Sequence, residues 1–308
     1  MVIDALLTFI RNLERDMPEN IMEIFFVRKQ ASAYRSYMPQ VSSSVQSDVL
    51  AMILPVLSNQ LNSLHLVDYN PIGVADGEME VLTKSEVPNV DLFMRSIDHD
   101  ELLTDEENLE ISNIAFYCIR LTYNENTVYL FRQFSKLRKL RKGYIARLFN
   151  NELIAMDKEF IGIDETADII LSDDKLYILN HISLERVFNY RDKYLQATNE
   201  AMGELLNKAV IANMEQFADD CSRDVRAMKR ITDIMTKGRL PLFFDNFDKV
   251  PSIIELLGID IEFDDEGKMI YRDRSQLFPI IYLLSDAYFK SLIAERTGIA
   301  KTEEAIQS

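Results

Sequence analysis

The sequence predicts an α+β fold, with an antiparallel-rich sheet built as a hairpin meander in the middle of the chain. A helix-rich C-terminal half and a smaller N-terminal α/β region complete it. Three observations predict this. Between residues 111 and 180, three pairs of apolar runs flank short turn signals, which reads as successive antiparallel hairpins. From Ser183 onward the apolar residues change to the 3.6-residue rhythm of helices. Strands and helices are segregated along the chain, where a doubly wound parallel sheet would alternate them.

The elements follow in order. Residues 2–15 read as a helix, with Ile3, Leu6, Leu7, Ile10 and Leu13 on one face. IMEIFFV (21–27) reads as a strand, and a second extended run spans Tyr34 to Met38. The serine cluster 42–44 supplies N-caps for a helix carrying Val45, Val49, Ile53 and Leu57. Pro55 is expected to kink or interrupt that helix, because proline lacks the N–H and crowds the preceding turn. Short strands at His65–Tyr69 and Glu78–Thr83 precede a helix near Val90–Ile97.

The first hairpin turns at Asn124-Glu125-Asn126, the second at Asn150-Asn151 and the third at Ser172-Asp173-Asp174. Helical spacing then runs from Leu184 through Leu206, with a break near Asn189. Further helices are expected through Ala218–Met235 and near Val250–Leu257. A late hairpin around Asp264–Gly267 and a final helix using Leu277, Ile280, Ile281, Leu284 and Tyr288 close the chain.

Composition narrows the function. The 308 residues are 47% apolar and include only nine glycines and eight prolines, so a disordered or fibrous chain is excluded. The longest apolar runs, of about six residues, fall far short of the roughly 20 that span a bilayer. The amphipathic N-terminus has Asp4 and no basic leader, unlike a secretory signal. A cytoplasmic chain without membrane insertion is the expectation. Cys118 and Cys221 read as buried free thiols, too few for a disulfide framework or a cysteine-held metal cluster.

Catalytic patterns are sparse. His65, His99 and His181 stand far apart without zinc-ligand spacing. No P-loop, G-x-G-x-x-G or G-x-S-x-G pattern occurs. His181 reads as a histidine at a strand-to-helix junction capped by Ser183, in preference to a catalytic base. Asp264, Glu266 and Lys268 resemble the acids and lysine of a metal-dependent nuclease. Gly267 places them on a turn, however, where a polar loop is the ordinary reading. No cofactor is implied, and enzymatic activity has no positive signature.

Charge is more informative. Net charge is −16, which argues against coating a polyanion with the whole surface. The charge is nonetheless uneven. Asp98 to Glu110 holds seven acids and no Lys or Arg, whereas Asn126 to Asn151 holds seven basic residues and no acid. Removing those seven positive charges from −16 leaves −23. A soft boundary at the acidic stretch divides the chain into 1–110 and 111–308.

Within the basic segment, Ser135 is placed to cap a short helix and Gly143 to end it. Leu137, Leu140 and Tyr144 would then share one face and anchor the turn. Lys136, Arg138, Lys139, Arg141 and Lys142, with Arg147 beyond, become the candidate DNA-binding residues, since such a cluster tracks phosphates whatever the base sequence. A basic turn paired with the acidic 98–110 stretch is the competing reading. Arg223, Arg226, Lys229 and Arg230 form a second basic helix face, diluted by Asp224 and Asp233; a solvated face is the preferred reading there.

The stretch from Phe131 to Tyr190 resembles the KwaB component of the Kiwa anti-phage defence system, with its DUF4868 domain. The matching features are Arg141-Lys142-Gly143 followed by Ala146-Arg147, then Phe160 with Ile163-Asp164, and the closing LYILN (Leu176 to Asn180) with a following phenylalanine. Asn150-Asn151 stands where the family usually carries Asn-Gly, a mild change because asparagine also tolerates the turn. The resemblance is firm over about 60 residues, extends towards the C-terminus and fades before Ile111. It assigns 111–308 to a KwaB-like domain. It also implies a cytoplasmic defence protein that binds DNA to obstruct phage replication and acts with an integral membrane partner, KwaA. A homodimer is the expected assembly, because a strand meander leaves edges to cover.

Overall fold

The computed structural model describes residues 2–30, 33–103, 113–134, 146–149, 152–155, 161–291 and 296–300. These fall into two compact units, one of residues 1–69 and 73–190, the other of 70–72 and 191–308.

The first unit contains α1 (Val2–Asp16), β1 (Met22–Gln30), β2 (Ala33–Tyr37), α2 (Ser43–Ser63), β3 (His65–Asp68), β4 (Glu78–Thr83) and α3 (Val90–Ser96). It continues with β5 (Ile114–Tyr123), β6 (Asn126–Gln133), β7 (Ala146–Phe149), β8 (Glu152–Ala155), β9 (Ile169–Ser172), β10 (Lys175–Ile178) and α4 (His181–Phe188). Eight strands form one sheet in the order β2-β1-β5-β6-β9-β10-β4-β3. Every neighbouring pair is antiparallel except β3 with β4, which is parallel. Strands before and after the 98–110 stretch therefore share one sheet, through β1 and β5.

The first hairpin closes as expected. Tyr123 pairs with Asn126, and Asn124 and Glu125 take φ of 49° and 65°, the left-handed pair that matches strand twist in a two-residue turn. Asp173, at φ 53°, turns β9 into β10. The meander is interrupted between these two: β6 pairs directly with β9, while β7 and β8 form a separate two-stranded ladder. The intervening turn at 150–151 lies outside the described residues.

Alternation gives the sheet two different faces. On one, Ile24, Phe26, Ile119, Leu121 and Leu130 meet Leu6, Ile10 and Leu13 of α1 and Leu50, Leu54 and Leu57 of α2. On the other, Phe93 of α3 and Phe188 of α4 cover Phe131 at ring-centroid distances of 5.0 Å and 5.3 Å in edge-to-face geometry. Helix α2 runs through Pro55 without interruption, so of the kink or break expected there the break does not occur. Leu54, Leu57 and Leu61 around the proline are all buried, and that packing outweighs one lost backbone hydrogen bond.

The second unit holds α5 (Arg191–Lys208), β11 (Ile211–Ala212), α6 (Met214–Arg223), α7 (Val225–Thr236), α8 (Arg239–Asp245), α9 (Val250–Leu257), β12 (Met269–Ile270), α10 (Leu277–Leu284), β13 (Tyr288–Lys290) and β14 (Thr297–Ile299). Asn189, left-handed at φ 53°, ends α4 and supplies the anticipated break before α5. Two boundaries differ from the sequence reading. The span 218–235 is two helices, because Asp224 leaves helical geometry to cap α7. The last helix ends at Leu284, and Tyr288 opens a strand. The turn at Asp264–Gly267 is present, with Phe263 bridged to Met269, yet β12 takes β11 as its ladder partner in parallel.

Candidate functional site

Helix α7 carries the one basic face that the described residues allow to be built in full. Its N-cap, Asp224, accepts hydrogen bonds from the backbone N–H groups of Arg226 (2.9 Å) and Ala227 (3.3 Å). Burial pushes the Asp224 carboxyl up, but the Arg226 side chain and those backbone groups hold it below the usual carboxylate range. A depressed carboxylate stabilises the fold above its unfolded pKa, so this cap weakens as pH falls into the acid range. Ala227, Met228, Ile231 and Ile234 bury the inner face of the helix.

The outer face is set over aromatic rings. The Arg226 guanidinium carbon lies 5.1 Å from the centroid of Phe278, and that of Arg230 lies 4.9 Å from Tyr282. Phe278 and Tyr282 are one turn apart on α10, with centroids separated by 6.1 Å. Two i,i+4 pairs on neighbouring helices thus meet in register. Lys229 adds a third contact, its Nζ 5.8 Å from the Tyr194 ring of α5. Each such contact is worth about 0.5–1 kcal/mol at an exposed site and restrains a long side chain. The residues enclose a concavity of about 340 Å³ lined by Ile72, Arg226, Lys229, Arg230, Phe278 and Tyr282, which comprises three cations and no acid.

Arg223 does not join this face. It belongs to α6 and pairs with Asp219 at 3.0 Å, so the four-residue basic stripe read from the sequence is cut at Asp224.

Of the sequence-predicted DNA-binding residues, Lys136, Arg138, Lys139, Arg141 and Lys142 lie outside the described residues, as do the proposed caps Ser135 and Gly143. Arg147 is placed on β7, opposite Ile154. Arg132, which opens the same basic run, faces inward. It donates from Nε and Nη2 to the Asp164 carboxylate at 3.1 Å and 2.9 Å and pairs through Nη1 with Asp168. Asp168 is 1% exposed and also accepts from the Gln133 backbone N–H at 2.8 Å. Its carbonyl receives the N–H groups of Leu179 and Asn180. Arg132 thus ties β6 to the start of β9 and the end of β10.

His181 is the first residue of α4, and the cap is Asn180, whose side chain accepts from the Ser183 N–H. The sequence reading had assigned the cap to Ser183 itself. The imidazole lies 2.8 Å from Glu80, which is 1% exposed, and 3.3 Å from Glu185. It stacks on Tyr69 with centroids 5.3 Å apart and planes at 5°. The Nδ1 contact with Glu80 ties α4 to β4, while the Glu185 pair lies within α4 itself.

The Asp264–Lys268 segment is a tight polar turn. Asp264 Oδ1 accepts from the N–H groups of Glu266 (2.9 Å) and Lys268 (2.8 Å), and Gly267 takes φ 79°. Lys268 pairs with Glu266 at 2.5 Å, which raises its pKa. Among the described residues, no group of three or more His, Cys, Asp or Glu could hold a metal ion, and none of their helices is long and apolar enough to cross a membrane.

The profile of the "Kiwa protein KwaB-like" family matches residues 111–294, more than half of the chain. No curated protein and no solved structure matches it significantly. Among the described residues, several that carry the resemblance have structural work within this fold. Asp164 holds Arg132, Leu176 and Tyr177 are buried in β10, Asn180 caps α4, and Phe188 closes the aromatic cluster. The match spans the sheet's central strands and the α7–α10 face alike, and the chain belongs to the KwaB-like family of Kiwa anti-phage defence proteins.

Proposed function

We propose that this chain is a DNA-binding effector of Kiwa defence that acts with the integral membrane partner KwaA to obstruct phage DNA replication. The observation that carries the reading is the α7 face. A chain of net −16 concentrates Arg226, Lys229 and Arg230 around one concavity, each over an aromatic ring. The basic segment from Lys136 to Arg147 adds six more cations without an intervening acid. Together they supply the local positive field that an otherwise acidic protein needs to hold phosphates.

The chain contributes no membrane-inserting element in this reading and reaches the inner membrane through KwaA. It works as a homodimer. In support, β2 and β3 are the edges of the eight-stranded sheet among the described residues, and an edge strand is a template for pairing with a second chain. Light scattering at micromolar concentration should report twice the 35.7 kDa chain mass; a monomer would remove the dimer from the account.

Anisotropy titrations against duplexes of unrelated sequence test the function itself. Comparable affinity for all of them is expected, and plasmid incubated with Mg²⁺ should remain uncut. Cutting that Asp264→Ala abolishes would replace this reading with a metal-dependent nuclease. The turn geometry favours a structural role for Asp264, because its Oδ1 accepts from two backbone N–H groups of the turn.

A further inference from the structure

We infer that the concavity between α7 and α10 takes a single unstacked nucleotide, with its phosphate on the cations and its base against the guanidinium and ring walls. This deepens the DNA-binding reading and rests on it for the physiological source of the nucleotide.

The lining is split in a way that suits this ligand. Ile72, Phe278 and Tyr282 are apolar or aromatic, while Arg226, Lys229 and Arg230 are cationic. A bare phosphate would use the cations and leave the apolar wall idle. A duplex presents phosphates outward and keeps its bases stacked inside, so it would use the same half. A nucleotide with its base exposed uses both. Bases in single strands stack on aromatic rings and on arginine planes, and both guanidiniums here are restrained over rings at 5.1 Å and 4.9 Å. The volume, about 340 Å³, lies at the small end of small-molecule sites, which run from about 300 to 1,000 Å³. That is room for one nucleotide and not for a stacked pair.

The substitution Arg230→Lys separates this proposal from a plain basic patch. Arg230→Lys keeps the charge and removes the planar guanidinium, so phosphate attraction is preserved while stacking is lost. The full-length protein and this variant are titrated with a short single strand carrying 2-aminopurine, and with the matching duplex. The variant should bind the single strand about tenfold more weakly, the loss of roughly one stacked base, and should lose clearly less affinity for the duplex, whose phosphates meet the same charge. The 2-aminopurine emission should change on binding to wild type and much less with the variant. Equal effects on both DNA forms, or none on either together with no mononucleotide binding in the third titration, would overturn the pocket while leaving DNA binding intact.

A third titration uses 2-aminopurine deoxyriboside monophosphate alone. Saturable binding that Arg230→Lys weakens assigns the pocket to free nucleotides. Binding only when the nucleotide is within a strand assigns it to single-stranded DNA. If wild type binds neither duplex nor single strand, the functional reading fails, and the mononucleotide titration alone decides the pocket: saturation upholds it and no binding overturns it.

Discussion

Reversing Arg138, Lys139, Arg141 and Lys142 together to glutamate should nearly abolish binding to duplex DNA. The substitution changes local charge by eight in a segment that holds no acid of its own. Long-range attraction from elsewhere cannot compensate, because the chain without its basic run sums to −23 and repels the polyanion. The α7 face should matter less for duplex. Arg226 already has Asp224 at 3.4 Å, and the concavity offers only three cations, so reversing Arg226, Lys229 and Arg230 should weaken duplex binding by a smaller factor. Circular dichroism and the urea midpoint of the quadruple variant should match wild type. A variant that folds normally and keeps wild-type affinity would show that the 136–142 segment is not the duplex site.

Asp168→Ala should cost about 3 kcal/mol of stability, the scale of removing one partner from a buried charge pair. The carboxylate is almost fully buried, pairs with Arg132 and accepts the Gln133 backbone N–H. Its loss leaves both donors facing a cavity. Asp164 softens the effect, since it holds the other side of Arg132 at 2.9 Å. Urea unfolding should show a lower midpoint with an unchanged slope. A loss below about 1 kcal/mol would place this network with ordinary surface pairs. The comparison also bears on the family pattern, because Asp164 is one of its features and the network gives that residue a structural reason.

Local chemistry was legible wherever it acted through neighbours in sequence. Asn124-Glu125 marked a hairpin, Asn189 marked a helix break, and the serine cluster marked the start of α2, each through a short-range backbone preference. Asp224 was read as a charge diluting a basic stripe, although its capping geometry was the more consequential property. Pro55 was read as kinking or interrupting α2, and burial of Leu54 and Leu57 accompanies a helix that is not interrupted there. The separate β7–β8 ladder could not be read, because nothing local states which strand β6 will choose. The α7–α10 pairing was hidden for the same reason. Arg226 and Phe278 are distant in sequence, and only the matching i,i+4 spacings of Arg226/Arg230 and Phe278/Tyr282 hinted that the two rows could meet. The basic segment itself was the plainest signal in the chain, because a run of seven cations without an acid is visible in the sequence alone.

The salt dependence of wild-type duplex binding tests the central claim most directly. If phosphates are held by a basic cluster regardless of sequence, four to six counterions leave on binding, and log K against log salt should fall with a slope of about −4 to −5. Two duplexes of unrelated sequence should give the same slope and similar affinity. A slope near zero, or affinity confined to one of the two sequences, would contradict a phosphate-tracking mechanism and the assignment of the basic residues to it.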